Sequence, residues 1–320
     1  EVSALILAAR NKSIQNVNRE LINLYWQVGE YIASKVRTSD WGKSIVQELA
    51  AYIREAHPSI KGFSDKNLWR MKQFYETYFS DEKLSALLRE LSWTNNLLIL
   101  SKTKSVDERE YYIRLCIKEN YSSRELERQI DSGLFERQVL ANTNLISDAA
   151  KEKHPDIEKV FRDRYVLDFL NLPEQHAEND LRQQIVHNLK DFILELGKDF
   201  SFIGEEYRIS VGMTDFYIDL LFFHRELQCL VAFELKITEF KPEYLGQLNF
   251  YLEALDRDVR KQHENPSVGI ILCKTKNDEI VEYALSRSLS PALIAQYETK
   301  LIDKKLLQAK LHELYDQTEI

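Results

Sequence analysis

The sequence predicts an α+β protein of two domains, an all-α first half followed by an α/β second half with a mixed sheet. Three observations carry this prediction. The chain has 320 residues, 44% of them hydrophobic, which is more than one ordinary core uses and too apolar for disorder. Its apolar spacing is helical up to about residue 140, with long stretches free of Gly and Pro. After Pro173 short strand-like runs alternate with helical ones. Domains are therefore expected at 1–145 and 173–320, with a junction over 146–172.

In the first half the helical spacing is clearest at Leu21, Leu24, Tyr25, Val28, Tyr31 and Ile32. Breaks are expected at Trp41-Gly42, at His57-Pro58 and at Lys61-Gly62-Phe63. Ser64 is placed to cap a helix running to about Tyr78, with Leu68, Met71, Tyr75 and Tyr78 as its buried stripe. The segment from Ser122 to Gln129 reads as a capped surface or partner helix. Trp26, Trp41, Trp69 and Trp93 sit at core spacings.

The junction is polar and mixed, with Asn142-Thr-Asn144, His154-Pro155 and a short helix or turn expected over Tyr165–Leu170. A helix follows from Asp180 to Leu196, carrying Leu181, Ile185, Leu189, Phe192, Ile193 and Leu196 on one face and ending at Gly197. Strands are expected at Phe200–Ile209, Phe216–Phe223 and Gln228–Leu235. A helix opened by Pro242 then runs to about Leu255, a strand covers Val268–Cys273, a helix Asp278–Leu285 and a strand Ala292–Tyr297. Short turns join the first three strands and helical crossovers join the later ones, so the sheet must be mixed.

Charge is uneven. The chain carries a net −8, but residues 1–145 hold 21 Lys and Arg against 19 Asp and Glu, a net +2, while the remainder holds 22 against 32, a net −10. Carboxylates concentrated in the second half suit either solvated surface or cation binding. Cys116, Cys229 and Cys273 are too few and too scattered for a disulfide framework or a zinc cluster, which points to a reducing cytoplasm. Cys229 and Cys273 lie in apolar strands and read as core. Neither a membrane-spanning apolar run nor a secretory leader pattern is present in the sequence. The first residue is Glu1 rather than Met, so whether a segment precedes it is left open.

One constellation carries chemistry. Asp219 is a lone acid inside the second strand-like run, and fifteen residues later Glu234 and Lys236 close the third. Period-2 geometry puts Glu234 and Lys236 on one face, and a short turn makes Asp219 their neighbour. Two close carboxylates repel unless a cation lies between them, and all-oxygen ligation favours Mg²⁺ or Mn²⁺. An ammonium beside such a cation can orient water for attack on a phosphodiester. The acid-x-Lys spacing alone is uninformative, since it recurs at Asp81, Glu239, Glu298 and Asp303. A salt-bridged strand end fits the spacing equally well. His224, at the end of the second run, reads as a structural hydrogen-bonding residue, with phosphate contact as the alternative.

The segment from Asp219 to Lys236 resembles the PD-(D/E)XK nuclease superfamily, and the whole chain is similar to the YhcG family. Motifs along nearly the full length carry the resemblance: Asn18 to Leu21 with Leu24 to Trp26, Gly62 to Leu68, Leu91 to Trp93, Glu108 to Tyr112, Phe192 to Gly197, Phe216 to His224, Glu234 to Lys236 and Phe240 to Tyr244. The resemblance implies a restriction-endonuclease-like core and an Mg-dependent endonuclease. Asp219 and Glu234 would hold the metal and Lys236 would position the water. Gln247 and Tyr251 match a Gln-x-x-x-Tyr element of RecB-like members and would contact phosphate or base, although helix packing explains their spacing as well. Two departures stand out. Ile218 replaces the Pro that names the superfamily, and Arg182 stands where relatives lead one to expect Glu. A third metal ligand is therefore unassigned among Glu178, Asp180 and Glu195.

In the first half, Lys61 to Lys72 hold four basic residues and one acid, and the breaks around them give something like a helix-turn-helix. Lys66, Asn67 and Arg70 are the candidates for DNA contact, with Asn67 and Arg70 near base edges. A solvated helix face is the competing reading. The expected function is hydrolysis of DNA in defence, mobile-element or repair settings, with a homodimer expected by analogy to other double-strand cutters. The alternatives are a non-hydrolytic adaptor on a nuclease fold and an RNA-directed nuclease.

Overall fold

The computed structural model describes residues 2–38, 43–142, 145–173 and 175–318. The expected break at Trp41-Gly42 and the Thr143-Asn144 pair lie outside the described residues. The chain divides into two compact units, Glu1–Ile130 and Asp131–Ile320. No helix among the described residues is long and apolar enough to cross a membrane.

The first unit is all helical: α1 (Val2–Thr38), α2 (Lys43–Ala56), α3 (Asp65–Tyr78), α4 (Glu82–Leu87), α5 (Trp93–Lys102), α6 (Val106–Glu119) and α7 (Ser123–Asp131). Ser residues open several of these helices. The Ser64, Ser92 and Ser105 side chains each accept a bond from the backbone N–H three residues on, satisfying a donor the helix cannot. Ser122 and Glu125 cap α7 reciprocally, and Leu126 and Ile130 bury one of its faces. The crossing of α1 over α3 depends on Gly29, where an added Cβ would lie 2.2 Å from the Met71 carbonyl oxygen.

Two expectations for this unit need correction. The buried stripe of α3 is Leu68, Met71, Phe74 and Tyr78, with Tyr75 only half-buried. In α1 the apolar residues do not form one face: Tyr25 and Ile32 are buried with Ile22, while Leu21, Leu24 and Tyr31 are exposed. The two sets interleave at helical spacing, which hides the distinction from a one-stripe reading.

The second unit holds α8 (Leu134–Val139), α9 (Asp148–Lys153), α10 (Ile157–Val160), β1 (Arg164–Val166), α11 (Glu178–His187), α12 (Leu189–Leu196), β2 (Phe200–Val211), β3 (Thr214–His224), β4 (Cys229–Glu239), α13 (Glu243–Ala254), β5 (Asn265–Thr275), α14 (Asp278–Leu285), β6 (Ala292–Glu298) and α15 (Lys304–Thr318). The sheet is mixed as expected, in the order β1-β6-β5-β4-β3-β2. The pairs of β3 with β2 and β4 are antiparallel, and the β4–β5, β5–β6 and β1–β6 pairs are parallel. Both faces are covered, one by Ile157, Leu181, Ile185 and Phe192, the other by Leu248, Leu252 and Val281. This is the restriction-endonuclease-like arrangement.

Residues 146–172 are part of this unit and not a linker. Ile146 bridges to Leu293, and Arg164–Val166 add the edge strand where a helix or turn was expected. Three residues are too few for alternation to register. The single helix expected over 180–196 is two, broken at Asn188, whose side chain donates to the Gln184 carbonyl. The β2–β3 hairpin turns on Gly212 and Met213, both at positive φ, the primed turn that matches strand twist.

Candidate active site

The ladder between β3 and β4 is antiparallel, and its last paired residues are Leu220 and Phe233. One step further come Asp219 and Glu234. There the ladder gives way to a side-chain contact, in which the Leu235 N–H donates to Asp219 Oδ2 at 2.8 Å. Strand β4 is central, so Cys229 to Lys236 are buried without alternation. Glu234 is 3% exposed and Lys236 8%, and the Lys236 ammonium donates to Glu234 Oε1 at 3.0 Å. The other carboxylate oxygen, Glu234 Oε2, is buried with no hydrogen-bond partner.

A buried acid pair with one orphaned oxygen is short of positive charge. Burial pushes the Glu234 carboxyl up to about 7, with the Asp219 charge adding to the effect and Lys236 opposing it. Burial likewise raises Asp219, against the Leu235 N–H and the Lys236 ammonium. Burial works against the charge on Lys236 as well, but Glu234, Glu178 and Asp219 together keep its pKa above the usual lysine value. Among the described residues no ready-made group of three His, Cys, Asp or Glu ligands is present. What the site offers is an oxygen pair with an unsatisfied acceptor, a donor set suited to a hard divalent cation.

Helix α11 reaches the pair with two residues one turn apart. Glu178 Oε2 lies 3.5 Å from the Lys236 ammonium, and Arg182 Nη1 lies 3.8 Å from Asp219 Oδ1. Arg182 is also held by Asn179 at 2.6 Å and by Glu206 at 2.9 Å. Glu206 adopts a left-handed backbone (φ 42°) on β2, a conformation uncommon outside Gly and Asn. The other two acids named for a third ligand are occupied elsewhere. Asp180 accepts from the Ala177 N–H at the start of α11, and Glu195 is buried against Arg137 at 2.9 Å.

On α13, the Gln247 amide donates to the Tyr251 hydroxyl at 2.7 Å. Tyr251 packs on the sheet face of Leu221 and Ala232, the face that Asp219 and Glu234 share by alternation; burial is the main cause raising its pKa, and the Glu234 and Asp219 charges add to it. The first turn of α13 supplies Tyr244, whose ring lies 5.3 Å from the Lys236 ammonium. Sequence reading missed Glu206 and Tyr244 as neighbours of the site, and it gave Arg182 no role there beyond replacing an expected Glu. The spacing of Glu178 and Arg182 was the available signal, because it puts them on one helical face. His224 is structural: its Nδ1 accepts from the Leu227 N–H at 3.0 Å and its ring packs on Phe200.

In the first unit, Lys66 and Arg70 are exposed on α3. Asn67 is not available for base reading in this arrangement. Its amide donates to the Gly62 carbonyl and accepts from the Trp93 indole at 3.0 Å, tying the preceding turn to α5.

Comparison with known proteins agrees with this architecture. The family model of the YhcG PDDEXK nuclease domain matches residues 158–312, and that of the DUF1016 N-terminal domain matches residues 1–137. A curated relative in Escherichia coli (strain K12), named "Putative nuclease YhcG", is 29% identical over 96% of this chain and 91% of its own length. Among solved structures, a repair endonuclease from Pyrococcus abyssi overlaps 38% of this chain and about half of its own (48%), at 16% identity and a TM-score of 0.27. That overlap is too slight to bear on activity. With one model matched by each half, the chain joins a DUF1016 N-terminal domain to a YhcG PDDEXK nuclease domain.

Proposed function

We propose that this nuclease is a metal-dependent endonuclease that hydrolyses DNA phosphodiester bonds, with Asp219, Glu234 and Lys236 at its centre. The orphaned, buried Oε2 of Glu234 beside Asp219 is the observation that supports this most directly. A buried acceptor left open beside a second carboxylate is a place where a hard cation can be held. Asp219 and Glu234 would hold Mg²⁺ or Mn²⁺, with Glu178 the third acid within reach. Bound there, the ion would supply Lewis-acid stabilisation of the phosphoryl charge.

The chain's own residues account for the rest. Lys236, held by Glu234 and Glu178, keeps its proton and donates to the attacking water, fixing the direction of attack. The Gln247–Tyr251 pair presents an amide and a hydroxyl to a non-bridging phosphate oxygen. Arg182 adds a second cation on the Asp219 side, where negative charge accumulates in the transition state. In the first unit, Lys66 and Arg70 would grip phosphates of the duplex, a positioning contact without base information.

The test is cleavage of supercoiled plasmid with and without Mg²⁺ or Mn²⁺, using wild type, Asp219→Ala and Lys236→Ala. Nicking or linearisation by wild type alone, and only with metal, is expected. Equal behaviour of wild type and Asp219→Ala sinks the proposal, and cleavage of RNA in place of DNA under the same conditions reassigns the substrate.

A further inference from the structure

Helix α1 carries two apolar faces, and only one of them is used by the fold. Ile22, Tyr25, Ile32 and Ala33 are buried, Gly29 meets the Met71 backbone, and the Asn18 amide donates to the Leu91 carbonyl at 2.9 Å. The other face carries Leu7, Ile14, Val17, Leu21 and Leu24, each between 37% and 69% exposed. Their spacing is 7, 3, 4 and 3, and Val28 extends it by 4. That is the a/d repeat of a coiled coil, with Arg10 at the remaining d position.

We propose that this stripe is a self-association seam, on which α1 of a second copy of this chain docks in antiparallel orientation. The need for an occupant comes from the start of the helix. From Val2 to Val17 every side chain described is exposed, a projection of roughly 24 Å at 1.5 Å per residue. Among the described residues nothing covers the apolar side chains of this stretch, so they stay in water unless a partner packs on them. The choice of a second copy comes from self-complementarity. About a two-fold axis at Arg19, Val17 meets the partner's Leu21, Ile14 the partner's Leu24, and Arg10 the partner's Val28. Ile14, Val17, Leu21 and Leu24 then each find an apolar partner, and the arrangement closes as a symmetric dimer.

Parallel pairing would instead set Arg10 against its own counterpart inside the seam, a like-charge contact that antiparallel pairing avoids. Size is adequate too. Covering these side chains on both helices, together with their flanks, buries several hundred Å² per copy, of the order of the roughly 800 Å² per partner of a standard interface. The inference is independent of the catalytic proposal, because no residue of the acid site takes part.

Sedimentation of the full chain across micromolar concentrations tests it. Wild type is expected at about 75 kDa, twice the 37.7 kDa of one chain. Ile14→Glu combined with Val17→Glu should weaken association at least tenfold. Both side chains point away from the α3 contact, so the near-UV spectrum and thermal unfolding of the remaining fold should be retained. Lys236→Ala should dimerise like wild type, which separates this result from the nuclease reading. For orientation, Val17→Cys with Leu21→Cys should crosslink copies under mild oxidation and Val17→Cys alone should not. A wild type that stays monomeric, a dimer that survives the double Glu variant, or efficient crosslinking through Cys at position 17 alone overturns the proposal.

Discussion

Replacing Glu234 by Gln isolates the cost of burying the Glu234 charge, which the Lys236 ammonium offsets only in part. The folded chain holds the Glu234 proton up to about pH 7, raised from 4.5 chiefly by burial. An unfolded Glu releases its proton near 4.3. Between those values the folded state binds more protons than the unfolded one, so stability falls as pH rises through the window and stays low above it. A shift of this size corresponds to something on the order of 3 kcal/mol of lost stability at about pH 8. Glu234→Gln keeps the side-chain shape and an acceptor for Lys236 while removing the charge. In chelator at about pH 8 the variant should therefore melt higher than wild type, by roughly 6–12 °C if the whole penalty is relieved in a unit of this size. At about pH 4.5 the two should coincide, since the carboxyl is then protonated. Addition of Mg²⁺ or Mn²⁺ at pH 8 should raise the wild-type midpoint and leave the variant unmoved. Differential scanning fluorimetry over pH, with and without metal, makes the measurement. A variant that melts at or below wild type at pH 8 in chelator would refute the idea that the acid pair is electrostatically unsatisfied.

Three further outcomes are expected. Glu195→Ala should destabilise the second unit by about 3–5 kcal/mol in chemical denaturation, because it leaves the Arg137 guanidinium buried beside an empty site, and loss of under 1 kcal/mol would contradict this. Gly29→Ala should unfold the first unit or displace α1 from α3, since the added methyl collides with the Met71 carbonyl, and an unchanged melting profile would show that the crossing has slack. Arg70→Glu should weaken DNA binding and lower the slope of log affinity against log salt by about 1 or more, whereas an unaltered slope removes α3 from the DNA contact.

Much of this architecture was legible because the second unit obeys local rules. Three consecutive strands with short turns force antiparallel pairs, and Pro242 opens its helix where its fixed φ suits the first turn. Asp219 stood out as an acid in an apolar strand, and the ladder brings it level with Glu234. What stayed hidden depends on contacts between distant segments. β1 is three residues long and gains strand geometry only by pairing with β6. Asn67 looked like a base-reading residue because its partners, Gly62 and Trp93, are set by the tertiary fold.

The same distinction explains the third acid. Glu178, Asp180 and Glu195 are equivalent as sequence, each a carboxylate near an apolar helical stripe. Their fates diverge through partners: Asp180 satisfies a backbone donor of its own helix, Glu195 neutralises Arg137, and Glu178 alone meets the Lys236 ammonium. Arg182, one turn on, then falls beside Asp219 with no choice of its own, since i and i+4 share a helical face. A Glu at that position would add a fourth carboxylate to a pair already short of positive charge. Arg182 instead supplies a fixed cation, anchored by Glu206 and Asn179. The departure from the expected Glu therefore lowers the charge an added metal ion has to offset, and it does so from the side of Asp219 that the Leu235 N–H does not occupy.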